Sequence, residues 1–334
     1  MRFAATRILN LEPGRQKPIS GGVRLKRLYM RLLRQAWLRK VIVTAPVLRE
    51  IAWRYVAGEN IEAALATIRA LNSRGIKATL HCIGTHVQST AEAVAAADAA
   101  IESLRRIHLE GLDSNISIKL TKIGLDVSEE RCRTELHRIL RSAREAGNFV
   151  RIDMEESAYT ERTLILFEEM QREYGPDTVG VVVQSYLRNR RCDLERLTAR
   201  GARIRLVKGG YWEPEAVAYR KRAEIDAAFD RDLDLLLRHG RHPAIATHDV
   251  RFMARAQDVA AAIGLNKREY EFEMLYGTRP DLQDQLARQG HIVRCYVPYG
   301  SEWCQYAIGC VRHAASGLLR RFGRSGADPL RPVT

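Results

Sequence analysis

Residues 179–212 read VGVVVQSYLRNRRCDLERLTARGARIRLVKGGYW. The first six are almost all apolar and β-branched, show no polar alternation, and close on Gln184. A strand of that kind is buried on both faces, as in a parallel sheet flanked by helices. After a polar interval a second such run spans 202–208, carries Arg205 and Lys208, and passes directly into Gly209 and Gly210. An Arg and a Lys three apart, followed by two glycines, let positive charge and backbone amides approach an anion closely. A salt-bridge network is the other use of the same residues.

Outward from this stretch the alternation continues in both directions. Strand-like runs stand at 77–84, 115–120 and 149–154 before it, and at 244–247, 270–274 and 291–297 after it. Segments of helical period fill most of the intervals, as at 61–73, 91–107, 130–146 and 160–174. Eight strand-and-helix repeats over about 250 residues fit a (β/α)8 barrel. An open doubly wound sheet has the same local pattern, and the count of eight favours closure. Most runs also end in polar residues: His81, Lys119, Asp153 with Glu155, Gln184, Lys208, and Thr247 with His248. Arg205, Glu273, Arg294 and Tyr296 lie inside theirs. In a barrel the C-terminal strand ends share one mouth, where such folds do their chemistry. So many polar residues together predict a cofactor site.

The bulk composition agrees. At 334 residues, 46% hydrophobic and 28% charged, the chain suits one large α/β domain. Its net charge of +14 would attract anionic lipid or an acidic protein. No nucleic-acid motif accompanies that charge and aromatics reach only 7%, so nucleic acid is set aside. The six cysteines form no CxxC pair, which predicts neither a metal site nor a disulfide framework and makes a reducing cytoplasm the default. No apolar run approaches the roughly 20 residues of a membrane span. The N-terminal stretch lacks the apolar core of a secretory signal, although its Arg-rich, acid-poor character up to Glu50 is also that of a mitochondrial presequence. Leu25, Leu28, Tyr29, Leu32, Leu33 and Ala36 follow helical spacing among seven basic residues. This predicts a basic amphipathic helix at 23–40 that packs on the domain or touches a membrane surface. The predicted organisation is a basic arm and helix at 1–48, a barrel at 49–325 and a tail at 326–334. GxGxxG, Walker A, HExxH and GxSxG motifs are all absent from the sequence.

Segments spread in order along the chain resemble the proline dehydrogenase family. Val56-Ala57-Gly58-Glu59-Asn60 is similar to the family's V-x-G-E-T, Ile116-Ser117-Ile118-Lys119-Leu120 to I-S-I-K-L, and Asp153-Met154-Glu155 to D-M-E. Val182-Val183-Gln184-Ser185-Tyr186 resembles V-L-Q-S-Y, and R-L-V-K-G-x-Y-W stands intact at 205–212, as does A-T-H-D at 246–249. The segment 271–277 resembles E-F-Q-x-L-Y-G, and 294–300 reads R-x-Y-V-P-Y-G. The resemblance implies a (β/α)8 barrel with noncovalent FAD at its mouth and a C-terminal helix over it, oxidising the C–N bond of proline. It implies cofactor contacts from Asp153, Gln184, Arg205, Lys208, Gly209, Trp212, Thr247 and His248. Tyr211, Leu275, Tyr296 and Tyr306 would line the substrate pocket, with Arg205, Tyr211, Tyr296, Tyr306 and His81 serving catalysis. The electron acceptor would be a quinone, oxygen or a protein.

The departures from the family gather at the substrate. Where the family carries Y-x-x-R-R, with arginines that grip the amino-acid carboxylate, Tyr306 is followed by Ala307, Ile308, Gly309 and Cys310. The family's D-x-L-G-E becomes His81-Cys82-Ile83-Gly84-Thr85, and a family Gln becomes Glu273. The family's active-site lysine has Lys40 as its candidate. Charge-assisted hydrogen bonds contribute roughly 1.5–3 kcal/mol each. Losing two such anchors therefore removes about two to four decades of affinity for a carboxylate. The leading expectation is an amine dehydrogenase whose substrate has an absent, displaced or masked carboxylate, for instance a thioester on an acidic carrier protein. The alternative is ordinary L-proline oxidation with Arg312, one helical turn beyond Gly309, as the replacement anchor. A noncatalytic flavin-binding or partner-binding barrel is the third reading.

Overall fold

The computed structural model describes residues 53–304 and 306. The predicted arm and basic helix, Lys40, the helix over the mouth with Gly309, Cys310 and Arg312, and the tail lie outside the described residues. Helix α1 (Ile61–Asn72) precedes β1 (Lys77–Cys82). There follow α2 (Thr90–Leu109), β2 (Ser114–Ile118), a short 3-10 turn, α3 (Glu129–Glu145), β3 (Val150–Ile152) and α4 (Ser157–Tyr174). Then come β4 (Val179–Gln184), α5 (Arg191–Ala199), β5 (Arg203–Val207), α6 (Arg222–His239) and β6 (Ala244–Ala246). The series ends with α7 (Val250–Ile263), β7 (Glu271–Leu275), α8 (Pro280–Arg288) and β8 (Ile292–Tyr299).

The strands pair in parallel in sequence order, and β8 closes on β1 in a register from Lys77↔Arg294 to Cys82↔Tyr299. Closure excludes the open doubly wound sheet. All eight strand-like runs of the sequence are strands. Side chains alternate across each strand. On β5 the outward residues Ile204 and Leu206 are fully buried beneath the helices, while Arg205 reaches β3 and β7, which are not its neighbours. The apolar core is thus the shell between sheet and helices, and the lumen is polar.

Local side-chain caps set four of the eight α-helix starts among the described residues. Asn60, Ser89, Ser128 and Asp249 each accept a hydrogen bond from a backbone amide of the first turn, the usual N-cap arrangement. Helix α4 is an exception and begins at Ser157, ahead of the predicted Thr160. Glu213, distant in sequence, accepts both the Ser157 amide and its hydroxyl at 2.7 Å. That long-range cap has no local sequence signature.

Candidate active site

A charged network crosses the upper lumen. Asp153 follows β3 and accepts from the Ser117 hydroxyl at 2.6 Å, Arg205 Nη1 at 2.9 Å and the Tyr296 hydroxyl at 2.7 Å. On its other side Arg205 Nε lies 2.5 Å from Glu273 Oε2, so one guanidinium is shared by two carboxylates. Arg205 and both acids are almost completely buried. Burial works against the Asp153 charge, yet the Arg205 guanidinium and the Ser117 hydroxyl hold its carboxyl below the usual range. Burial pushes the Glu273 carboxyl up against the pull of Arg205, and Glu271 pushes it further. The Tyr296 phenol is driven well up by burial and by Asp153, and stays a hydrogen-bond donor.

His81 ends β1 beside this network, its ring 5.2 Å from that of Tyr296. Its Nδ1 donates to the Ser117 carbonyl at 3.1 Å, which leaves Nε2 as the lone-pair nitrogen. Burial lowers its pKa to about 3, with Asp153 opposing and Lys119 adding to the drop, so the ring is neutral. Lys119 follows β2, and its Nζ stands 3.4 Å from the Tyr211 hydroxyl. It makes no ion pair among the described residues. Tyr306 is half-buried and close enough to Tyr296 to influence its ionisation.

The predicted cofactor residues sit at the same end of the barrel with differing partners. Gln184 is buried and donates its amide to the Met154 carbonyl at 3.2 Å. Gly209 adopts φ +100°, and a Cβ there would lie 2.0 Å from the Tyr186 ring, so only glycine keeps this path. Lys208 turns to the rim, 2.6 Å from Asp226 and above the Phe252 ring at 4.2 Å. Trp212 is about half exposed and carries the Arg220 guanidinium over its face at 4.6 Å. The Thr247 hydroxyl accepts from the Asp249 amide. His248 Nε2 accepts from the Leu275 amide at 2.9 Å, tying the end of β6 to β7, and burial lowers its pKa to about 4.

One expectation changes. Arg294 is not at the mouth. It pairs with Glu271 at 3.0 Å and donates to the Ala78 carbonyl, both at the N-terminal end of the lumen. Among the described residues Lys119 is a lysine brought to the site, and the candidate Lys40 lies outside them. The sequence signal for it is that Lys119 extends the inward parity of Asn115 and Ser117. Among the described residues, His86, Glu155 and Glu156 also bring possible metal-ligand atoms within 4.8 Å of one another. Asp126 holds the His86 ring at 2.7 Å and Thr121 holds both Glu155 oxygens, so we read that group as a hydrogen-bonded loop junction.

The lumen leaves a donor, Arg205 Nη2, and an acceptor, Gln184 Oε1, buried without partners. Buried orphans are costly, and a planar group carrying both N–H and C=O would satisfy them. The isoalloxazine ring is such a group, so the residues present fit FAD. A closed parallel barrel with this charged, tyrosine-lined lumen at its C-terminal mouth is a (β/α)8 enzyme scaffold of a class whose lumen fits a flavin.

The comparisons with known proteins narrow the class. The sequence pattern described as "Proline dehydrogenase" matches residues 64–304. The chain is 38% identical over 259 residues to the proline dehydrogenase of Deinococcus radiodurans, covering 77% of this chain and 84% of that one. It is 37% identical over 255 residues to proline dehydrogenase 1 of Bacillus subtilis, covering 76% and 84%. Among solved structures it resembles proline utilization A of Bdellovibrio bacteriovorus, with a TM-score of 0.72 and 26% identity, covering 78% of this chain and 32% of that one. The chain therefore spans about a third of that larger protein's length. This chain belongs to the proline dehydrogenase family and is an FAD-dependent oxidoreductase acting on CH–NH donors.

Proposed function

We propose that the chain oxidises L-proline to pyrroline-5-carboxylate, with electrons leaving for a quinone, oxygen or a protein acceptor. The observation that carries this reading is Lys119, an ammonium at the mouth with no ionic partner among the described residues and the Tyr211 hydroxyl at 3.4 Å. It supplies a carboxylate anchor that does not depend on the missing arginine pair. The relatives named proline dehydrogenases favour free proline over a carrier-bound substrate. FAD, held at Gln184 and Arg205, would supply the two-electron acceptor for dehydrogenation of the C–N bond, with the nitrogen proton released as the C=N bond forms. Lys119 and Tyr211 hold the carboxylate. Asp153 fixes Arg205 and the Tyr296 hydroxyl in the upper lumen, and neutral His81 offers an acceptor for an N–H.

A second reading rests on Gly309 and Cys310 in place of the arginines. It takes a substrate whose carboxylate is masked, as in a thioester on an acidic carrier. Prolinamide separates the two. One charge-assisted hydrogen bond is worth about 1.5–3 kcal/mol, or roughly one to two decades in kcat/KM. Lys119→Met should remove that much from proline and little from prolinamide. Wild-type enzyme that prefers prolinamide to proline, with Lys119→Met indifferent to both, would favour the second reading.

A further inference from the structure

The lumen opens at a second place, the N-terminal end of the strands, into a cavity of about 440 Å³. Lys77, Asn115, Phe149, Asp177, Arg203 and Arg294 line it. Three of the cations here are neutralised. Lys77 pairs with Asp113 at 2.8 Å, Arg241 with Asp177 at 2.9 Å, and Arg294 with Glu271 at 3.0 Å. Arg203 is different. Among the described residues it forms no ion pair, and its Nε is buried without a hydrogen bond.

The surroundings hold that guanidinium in place. Its Cζ lies 4.3 Å from the Phe149 ring centre, and the Arg151 Cζ lies 4.7 Å from the same centre. Arg151 is wholly buried, donates Nη1 to the Arg203 carbonyl at 2.6 Å, and leaves Nε and Nη2 unpartnered. Gly180 keeps the space open. A Cβ there would lie 2.4 Å from the Arg203 carbonyl oxygen and 2.6 Å from both Arg151 Nη1 and the Phe149 ring. Across the lumen, Arg151, Arg203, Arg205 and Arg294 outnumber Asp153, Glu271 and Glu273, and the cavity acids Asp113 and Asp177 are paired with Lys77 and Arg241, which leaves positive charge uncompensated at the cavity end. A planar guanidinium stacked on an aromatic ring, with its donor edge unsatisfied, matches an oxyanion bidentately.

We propose that this cavity is a second ligand site, at the end of the barrel opposite the oxidation chemistry, and binds a small doubly charged oxyanion on Arg203. Inorganic phosphate and succinate are the probes, one for phosphorylated ligands and one for dicarboxylates. FAD-loaded protein is titrated with each by calorimetry and by thermal unfolding, with sodium chloride holding ionic strength constant so that screening cannot mimic binding. At least one probe should bind saturably, with half-saturation below about 1 mM. Arg203→Gln should weaken that binding at least tenfold. His108→Glu, on the exposed rim, should weaken it severalfold without touching the packed interior. Whichever probe binds identifies the ligand class. Absence of saturable binding by either probe up to about 10 mM would overturn the proposal. Binding that both variants leave unchanged would overturn it as well.

Discussion

The sharing of Arg205 between Asp153 and Glu273 has a measurable signature in a double-mutant cycle. Asp153→Asn keeps an oxygen for Nη1 and the Ser117 hydroxyl but removes the charge, and Glu273→Gln does the same at Nε. Each single change replaces one charge-assisted interaction and leaves Arg205 paired with the other acid, so each should cost about 2 kcal/mol. The double variant leaves a buried guanidinium with neither carboxylate. Stranding a buried charge costs about 3–5 kcal/mol on its own. Neither single change strands the charge, so that cost adds to the two exchanged interactions, and the double loss should exceed the sum of the singles by at least about 1 kcal/mol even after partial relaxation. Urea unfolding at neutral pH, with FAD saturating throughout, gives all four values. Additivity within about 0.5 kcal/mol would show that the two acids do not share the arginine.

Gly209→Ala should destabilise the protein by more than about 2 kcal/mol, because φ is +100° and the added Cβ meets the Tyr186 ring. Lower melting temperature together with weaker FAD retention would be the observed result. His248, buried and neutral with a pKa of about 4 against 6.5, makes stability depend on pH. The unfolded chain binds the proton first, so its contribution is complete above about pH 6.5 and is lost as pH falls toward 4, at up to about 1.4 kcal/mol per unit. His248→Gln should flatten that part of the profile, read as urea midpoints at neutral and mildly acidic pH. Lys119→Met should divide proline from prolinamide as described above.

The barrel was legible because its strands are continuous β-branched runs closing on polar residues, a pattern carried by local sequence. The mouth followed from those strand ends. The partnerships inside it did not, because Arg205 meets Asp153 and Glu273 across the lumen from strands that are not its neighbours. Sequence parity puts each of these side chains inward, but only the stagger of a closed barrel decides which of them meet. Arg294 shows the same limit. It shares its inward parity with Tyr296, yet two residues along the strand place it at the opposite end with Glu271. The substrate end remains anchored in sequence at Gly309, Cys310 and Arg312, beyond the described residues.

The central claim is that proline delivers its electrons to FAD in this lumen. The direct measurement is anaerobic mixing of the purified, FAD-loaded protein with L-proline, following the visible flavin band and trapping the imine product. The account predicts saturable bleaching by L-proline, stoichiometric pyrroline-5-carboxylate, and a slowing of at least tenfold in Lys119→Met. A flavin that dithionite reduces but that L-proline leaves oxidised at every concentration, while prolinamide or a carrier-bound prolyl thioester bleaches it, would contradict the account.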